Sequence, residues 1–206
     1  MKLLVRKARK GDKAASQQLM EEQGSSLYKI AKAILKNEED VADAMQETAL
    51  ACWEKLGTLR KDEFFKTWVT KILINNCNQI YRERQRLLPE EEMPEASAWE
   101  KGFEHAEWID FLNGLDEKYR IVVMLHYVEG FRAKEISQIL DISESAVYVR
   151  LTRAREMMRQ QYGTETGTGD DLIKSKETIR LKKMVPAHLA GPAAGTNRKG
   201  ELHGQI

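Results

Sequence analysis

The side chains best suited to a chemical task lie in the segment from Arg132 to Arg155, RAKEISQILDISESAVYVRLTRAR. Val147, Leu151 and Ala154 recur there at helical spacing, so one face of this helix is apolar and the other is polar and basic. The outer face carries Ser145, Tyr148, Thr152, Arg153 and Arg155. Because an arginine can donate two hydrogen bonds to guanine or neutralise a phosphate, the segment predicts a surface that reads duplex DNA.

Two short helices and a tight turn are needed to present that surface. The pattern predicts a first helix over Ala133–Leu140 and a second over Glu144–Met158. Asp141 tolerates the left-handed conformation of a sharp turn, and Ser143 is a suitable N-cap for the second helix. The combination predicts a helix-turn-helix whose second helix lies in the major groove. An ordinary helical hairpin with a solvated charged face is the alternative, and the motif alone does not identify the class of regulator.

An acidic helix face is the second candidate site. A helix predicted from Glu39 or Asp40 to Gly57 repeats apolar residues that include Val41 and Trp53. Opposite that stripe it carries Asp40, Asp43, Gln46, Glu47 and Glu54. Negative charge repels DNA, so in a DNA-associated protein this face predicts a protein partner with a basic surface. A merely solvated helix face is the alternative interpretation.

A third helix, predicted over Glu63–Arg86, has a composition that can hold single-stranded nucleic acid. Phe65 and Trp68 are predicted to pack inward. The outward side chains combine amides, a hydroxyl and cations, which suit unpaired bases and their phosphates. They are Lys66, Thr67, Lys71, Asn75 and Asn78, followed by the basic end of the helix, Tyr81–Arg86.

The rest of the chain also predicts helices, and no segment alternates as a β-strand does. A weak helix is expected over Leu3–Glu22, interrupted near Gly11 and Asp12. The next helix ends at Asn37, and its apolar face comprises Leu27, Ile30, Ala31, Ile34 and Leu35. The predicted fold is all-α, with one helical domain over residues 1–87 and a second over residues 108–161.

Two segments of unusual composition flank the second domain. Residues 88–107 form an acidic, proline-containing linker, in which seven Glu and one Lys between Pro89 and Glu107 give a net charge of −6. Since the whole chain has a net charge of +1, the remainder carries +7, which suits a nucleic-acid partner. Residues 162–206 are rich in small residues and predict a low-complexity, disordered tail.

Other chemistries find little support in the sequence. Cys52 and Cys77 have no Cys or His at metal-ligand spacing, and the four histidines are scattered, so neither a metal site nor a catalytic group is expected. No cofactor is implied. We see no apolar run of the roughly 18 residues that a membrane span needs and no signal peptide, so a cytoplasmic protein that is not an enzyme is expected.

Three segments together resemble the sigma-70 family of RNA polymerase initiation factors, and specifically its extracytoplasmic-function group. EDVADAMQE at Glu39–Glu47 resembles the family's polymerase-binding motif, and FKTWVTKILINN at Phe65–Asn76 resembles its promoter-melting segment. The stretch Leu115–Met158 resembles region 4, the helix-turn-helix domain. The likeness extends over about residues 5 to 160, with the three motifs in the family's order and spacing.

The resemblance implies a role for each segment. Asp40, Asp43, Gln46 and Glu47 would bind a coiled coil on the clamp of core RNA polymerase. The first domain would open and read the minus-ten element of promoter DNA and trap a flipped base near residues 57–63 with help from Asn75. The residues that would contact this element are Arg60, Lys61, Lys66, Lys71, Asn75 and Arg82. The second domain would read the minus-thirty-five element through Ser143, Ser145, Tyr148, Val149, Arg150, Thr152, Arg153 and Arg155. A cognate anti-sigma factor, often membrane-anchored in this family, is a further expected partner.

Two positions depart from the family's pattern. Lys61 stands where the loop often has Gly, and Tyr148 replaces a commonly basic position, so base preference does not transfer. The main rival interpretation is a stand-alone helix-turn-helix repressor or activator whose N-terminal domain dimerises or senses a ligand, and which binds a palindromic operator. It predicts tight duplex binding by the free protein, whereas an initiation factor requires core polymerase.

Overall fold

The computed structural model of the protein describes residues 1–35, 37–87 and 111–162. Within them the chain is helical and contains no β-strand, which confirms the predicted all-α class. The helices are α1 (Lys2–Arg9), α2 (Lys13–Ile34), α3 (Glu38–Lys55), α4 (Phe65–Leu87), α5 (Glu117–Val123), α6 (Ala133–Leu140) and α7 (Glu144–Tyr162). Short 3₁₀ turns cover Leu56–Thr58 and Asp62–Phe64, and α5 continues as a π-helical turn over Met124–Val128. None of the described helices is long and apolar enough to cross a membrane.

Capping residues set the helix boundaries near the N-terminus. The Asp12 carboxylate accepts a hydrogen bond from the Ala15 amide at 3.0 Å and opens α2, which then runs unbroken to Ile34. The prediction of an early helix that ends near Glu22 was therefore wrong. Asn37 was predicted to end α2, but its side chain instead accepts from the Glu39 amide at 2.9 Å and opens α3.

Helices α1 to α4 enclose the first part of the core. The five apolar residues predicted on α2, from Leu27 to Leu35, are all buried. On α4, Phe65, Val69, Leu73 and Cys77 are buried, whereas Trp68 is only half-buried against the Phe65 ring. These contacts hold α3 and α4 side by side, with their outer faces on the surface.

The helix-turn-helix agrees closely with its prediction. Helix α6 has the predicted bounds, and α7 begins at Glu144 as expected but extends to Tyr162. Asp141 adopts the left-handed conformation, with φ of 52°, at the turn between them. The Ser143 hydroxyl accepts from the Ala146 amide at 3.1 Å, as an N-cap does.

The N-terminal and C-terminal halves pack against each other in this structure. Helix α4 lies against α6, and α2 lies against α5. The half-buried Arg120 guanidinium donates to the carbonyls of Leu112 and Leu115 in its own half and to that of Ala33 in the other half. Burial lowers the Arg120 pKa and raises that of the neighbouring Glu117 carboxyl. The predicted linker over 88–107, the start of the second domain near Trp108 and the tail from Gly163 lie outside the described residues, so the domain boundaries stay a prediction.

Candidate polymerase and promoter interfaces

The outer face of α3 combines acidic groups with exposed apolar side chains. Asp43, Gln46 and Glu47 are exposed, as the sequence predicted. Beside them, Leu50 and Trp53 are 52% and 53% exposed. The prediction that Trp53 packs inward was wrong, because the helical phase turns it toward solvent next to a groove shared with α2. The face therefore offers both charge and apolar area to a partner.

Asp40 was predicted to lie on the same outer face, and the structure contradicts this. Its residue is only 7% exposed, and its carboxylate accepts a hydrogen bond from Nε of Arg84 at 2.7 Å. Arg84 belongs to α4, so the pair ties the start of α3 to the end of the neighbouring helix. Asp40 is consequently a structural residue rather than part of the exposed acidic face.

Two lysines of the predicted DNA-binding face of α4 are already engaged within the chain. Nζ of Lys66 donates to the Glu129 carbonyl at 2.9 Å, pairs with the Glu129 carboxylate at 3.2 Å and lies 4.8 Å from the Phe131 ring centroid. Nζ of Lys71 donates to the Gln138 carbonyl at 3.0 Å and to the Asp141 carboxylate at 2.5 Å. All of these partners belong to the C-terminal half.

The rest of that face is open. Asn75 and Arg82 are exposed and line a shallow groove along α4. The groove also contains Asn78, Gln79, Glu83 and Arg86. Its amide and guanidinium groups can hydrogen-bond bases and phosphates of a single strand, as the sequence indicated.

The loop before α4 is held by α1. The Asp62 carboxylate accepts from Arg9 at 2.7 Å and from Arg6 at 3.4 Å, and these contacts, chiefly the Arg9 hydrogen bond, lower the Asp62 pKa. Lys2 pairs with Glu63 at 3.3 Å. The loop thus reaches its position through a helix more than 50 residues earlier in sequence.

An aromatic residue that sequence reasoning missed stands at the end of this loop. Phe64 is 49% exposed, and the Lys61 ammonium lies 5.7 Å from its ring centroid. Arg60 and Lys61 are themselves exposed, as predicted. The adjacent Phe65 occupies the buried position of the helical pattern. The signal available in the sequence was a second aromatic residue outside that pattern, close to Arg60 and Lys61.

On α7 the predicted reading face is accessible. Ser143, Ser145, Tyr148, Val149, Thr152 and Arg153 are exposed, while Arg150 and Arg155 are half-buried. Arg153 pairs with Glu156 at 3.0 Å, and Arg155 donates to the Leu151 carbonyl at 3.3 Å and the Thr152 hydroxyl at 3.0 Å. These pairings hold both guanidinium groups along the helix surface.

The comparisons with known proteins match both halves of the chain. Residues 19–87 match the protein family described as "Sigma-70 region 2", and residues 105–158 match the family described as "Sigma-70, region 4". RNA polymerase sigma factor SigV of Bacillus subtilis is 30% identical over 144 residues, which cover 67% of this chain and 85% of that protein. The chain belongs to the extracytoplasmic-function group of the sigma-70 family.

Further relatives agree with this assignment. Sigma factor NccH of Alcaligenes xylosoxydans xylosoxydans is 30% identical over 166 residues, covering 74% of this chain and 89% of NccH. The structure of CnrH in complex with the cytosolic domain of CnrY matches with a TM-score of 0.59 and 27% identity, over 78% of this chain and 95% of CnrH. Sigma factor RpoE of Bartonella quintana, solved in complex with the anti-sigma factor NepR, shares the fold with a TM-score of 0.62 and 19% identity. The match covers 73% of this chain and 98% of RpoE.

The function of the sigma factor follows from this membership. It binds core RNA polymerase and directs promoter-specific initiation of transcription, for which it recognises and melts promoter DNA. The alternative of a stand-alone repressor or activator fails, because region 2 accompanies the helix-turn-helix domain in the expected order. Among the described residues no cluster of His, Cys, Asp or Glu could hold a metal ion.

Proposed function

We propose that Asp43, Gln46 and Glu47 form the polymerase-binding surface, together with Leu50 and Trp53. The observation that supports this is the exposed apolar pair beside the acidic side chains on one face of α3. Well-packed aromatic anchors supply much of the affinity of protein interfaces, and complementary charges supply orientation and rate. A surface of the polymerase clamp that combines basic groups with an apolar patch would fit both parts of this face.

Charge reversal tests the surface directly. We expect Asp43→Lys and Glu47→Lys to weaken binding to core polymerase and reduce promoter-specific transcription, while circular dichroism and thermal stability stay unchanged. Glu22→Lys is the matched control, because Glu22 is an exposed carboxylate on the neighbouring helix α2. Equal affinities for all three variants would contradict the assigned surface.

We further propose that the minus-ten element is held by Arg60, Lys61, Lys66, Lys71, Asn75 and Arg82, with the exposed Phe64 ring as a stacking platform. Stacking of a base on an aromatic ring contributes about 1–3 kcal/mol and tolerates any base. Phe64→Leu should therefore slow promoter opening, measured by permanganate reactivity of unpaired thymines in the complex with polymerase. A control variant, Tyr28→Leu, removes an exposed aromatic ring at some distance in sequence from the loop.

For the minus-thirty-five element, we propose that Ser143, Ser145, Tyr148, Val149, Thr152 and Arg153 contact duplex DNA, with Arg150 and Arg155 near phosphates. Their exposure on one stretch of α7, behind a well-capped helix start, supports this role. Tyr148 and Val149 would offer apolar contacts to thymine methyl groups. Promoter selection with randomised upstream elements would reveal the preferred bases.

The cellular setting completes the proposal. We propose that the protein acts in the cytoplasm, that it has no catalytic activity of its own, and that a cognate anti-sigma factor restrains it. Two similar sigma factors were solved with protein partners, the cytosolic domain of CnrY and the anti-sigma factor NepR, which supports such a partner here. Because the CnrY segment bound to CnrH is a cytosolic domain, a membrane-anchored partner with a cytosolic part should be sought by affinity purification from membranes.

A further inference from the structure

Helix α1 is basic on the side that faces the loop before α4. Lys2, Arg6 and Arg9 follow one another at helical spacing, so they share one side of the helix. Nη1 of Arg9 and Nε of Arg6 contact the two carboxylate oxygens of Asp62 at 2.7 and 3.4 Å. Nζ of Lys2 lies 3.3 Å from the Glu63 carboxylate. Three ion pairs therefore join this helix to two successive residues of the loop.

Helix α1 is itself fixed to the core and can serve as a support. Val5 and Ala8 are buried on the side that packs against the neighbouring helices. The turn that follows closes through Gly11, whose φ of 90° favours glycine, and the Asp12 cap then opens α2. The helix precedes residue 19, at which the match to the region 2 family begins. It is thus a support outside the matched region for a loop inside it.

The ion pairs act on the part of the loop that apolar burial does not fix. Leu59 and Phe65 are buried at the two ends of the loop. Between them, Lys61 and Phe64 are exposed, whereas the Asp62 side chain is only 15% exposed. The exposed stretch is consequently held at its centre by one carboxylate that two guanidinium groups contact.

The same pairs change the charge that the loop presents to DNA. Unpaired carboxylates at Asp62 and Glu63 would repel the phosphates of a nearby strand. Because α1 supplies a cation to each carboxylate, the positive charges of Arg60 and Lys61 dominate the exposed surface of the loop. Charge and order in the loop therefore depend on the same contacts.

We propose that Arg9 and Arg6 are positioning residues for the minus-ten element, which act through Asp62 to hold the loop with Phe64 and Lys61 open to the unpaired strand. Helix α1 then contributes to promoter opening without touching DNA. A loop that is ordered before it binds loses less conformational entropy when a base stacks on it. This inference rests on the proposed role of Phe64 and its neighbouring cations in binding that element.

The test breaks the strongest pair from each side in turn, with Arg9→Gln and with Asp62→Ala in the full chain. The two changes alter the net charge in opposite directions. If charge alone mattered, Arg9→Gln would weaken the attraction of DNA and Asp62→Ala would strengthen it. If positioning matters, both changes slow promoter opening. The matched control is Lys7→Gln, because Lys7 is exposed on the side of α1 turned away from Arg9.

The first measurement follows the order of the loop in the free protein. The Phe64 amide donates to the Lys61 carbonyl at 3.0 Å, so protection of this amide from hydrogen exchange reports the loop conformation. Exchange is followed by mass spectrometry and corrected for the intrinsic rate of each sequence. We expect roughly fivefold faster exchange in Arg9→Gln and in Asp62→Ala, the upper limit for partly exposed ion pairs. Lys7→Gln should match the wild type.

The second measurement follows promoter opening with saturating core polymerase, through the rate at which unpaired thymines become reactive to permanganate. We expect roughly fivefold slower opening with Arg9→Gln and with Asp62→Ala, and the wild-type rate with Lys7→Gln. Faster opening with Asp62→Ala would overturn the proposal, since that is the result of charge alone. Equal slowing with Lys7→Gln would overturn it too, and so would unchanged exchange at the Phe64 amide in both loop variants.

The role of the loop itself is checked separately with Phe64→Leu in the same opening assay. A normal rate with Phe64→Leu would refute the proposed function of this loop in minus-ten binding. Slow opening with Phe64→Leu, together with a normal rate for Arg9→Gln, would refute only the positioning role of α1.

Discussion

The ion pair between Asp40 and Arg84 provides the most direct check that Asp40 is a structural residue of α3 and not part of its exposed acidic face. Replacing Asp40 with Ala removes a buried acceptor that bonds Nε of Arg84 at 2.7 Å. A hydrogen bond to a charged group contributes about 1.5–3 kcal/mol, but about a third of the Arg84 side chain is exposed and can be rehydrated. We therefore take the lower part of that range for the pair, about 1.5 kcal/mol.

Asp40 also lies in the first turn of α3, where a negative charge interacts favourably with the helix dipole by about 0.3–1 kcal/mol. Together these contributions predict that Asp40→Ala lowers the free energy of unfolding by about 2 kcal/mol. For a protein of this size the change corresponds to a fall in Tm of roughly 4–8 °C. Urea denaturation followed by far-ultraviolet circular dichroism would measure the free energy.

The control is Asp43→Ala, because Asp43 lies about one turn further along α3 and its side chain is exposed. It should change the free energy of unfolding by less than about 0.5 kcal/mol while weakening polymerase binding. A double-mutant cycle with Arg84→Ala should show coupling between Asp40 and Arg84, because each single change removes the same pair. If Asp40→Ala left stability unchanged but abolished polymerase binding, the structural role would be refuted and the prediction from sequence restored.

Three further outcomes are expected. Arg153→Ala should cost about 1–3 kcal/mol in minus-thirty-five recognition if the residue reads a base, and uniform weakening on all promoters would make it a phosphate contact instead. The hydrogen bonds from Arg9 and Arg6 lower the pKa of the Asp62 carboxyl in the folded state. This carboxyl therefore stabilises the fold at pH values above its unfolded pKa, and the stabilisation is lost as the pH falls through the folded pKa. Asp62→Asn should reduce the loss of unfolding free energy on the acid side of a pH–stability curve. Burial raises the thiol pKa of Cys52 to about 11 and of Cys77 to about 12, so alkylation at pH 8 should be slow until urea unfolds the protein, and fast labelling would contradict their burial.

The fold and its general function were readable from local pattern. Helical periodicity placed Leu27 to Leu35 in the core and set α6 at Ala133–Leu140 because a buried stripe requires apolar residues at fixed spacing. Asp141 and Ser143 were identified as turn and cap residues because their backbone preferences are properties of single side chains. Both features need only neighbours within a few residues.

The candidate sites were predicted less evenly. The structure leaves the predicted face of α7 accessible. This face could be predicted from helical spacing alone, because a single helix presents it. Phe64 and Trp53 were missed as surface aromatics because residue type favours burial and helical phase drifts over a long segment. Their exposure depends on where the neighbouring helices end.

By itself, the sequence determined an all-α protein with an acidic helix, a helix with polar and basic outward residues, and a helix-turn-helix, all of which rest on local spacing. The tertiary structure alone decided that Asp40 turns inward to Arg84, 44 positions away, and that Lys66 and Lys71 meet Glu129 and Asp141, 63 and 70 positions away. The physical reason is that a charge has no preferred partner along the chain. Packing of α3, α4 and the C-terminal half selects which opposite charge comes within reach, and so which acidic and basic groups remain available to polymerase and DNA.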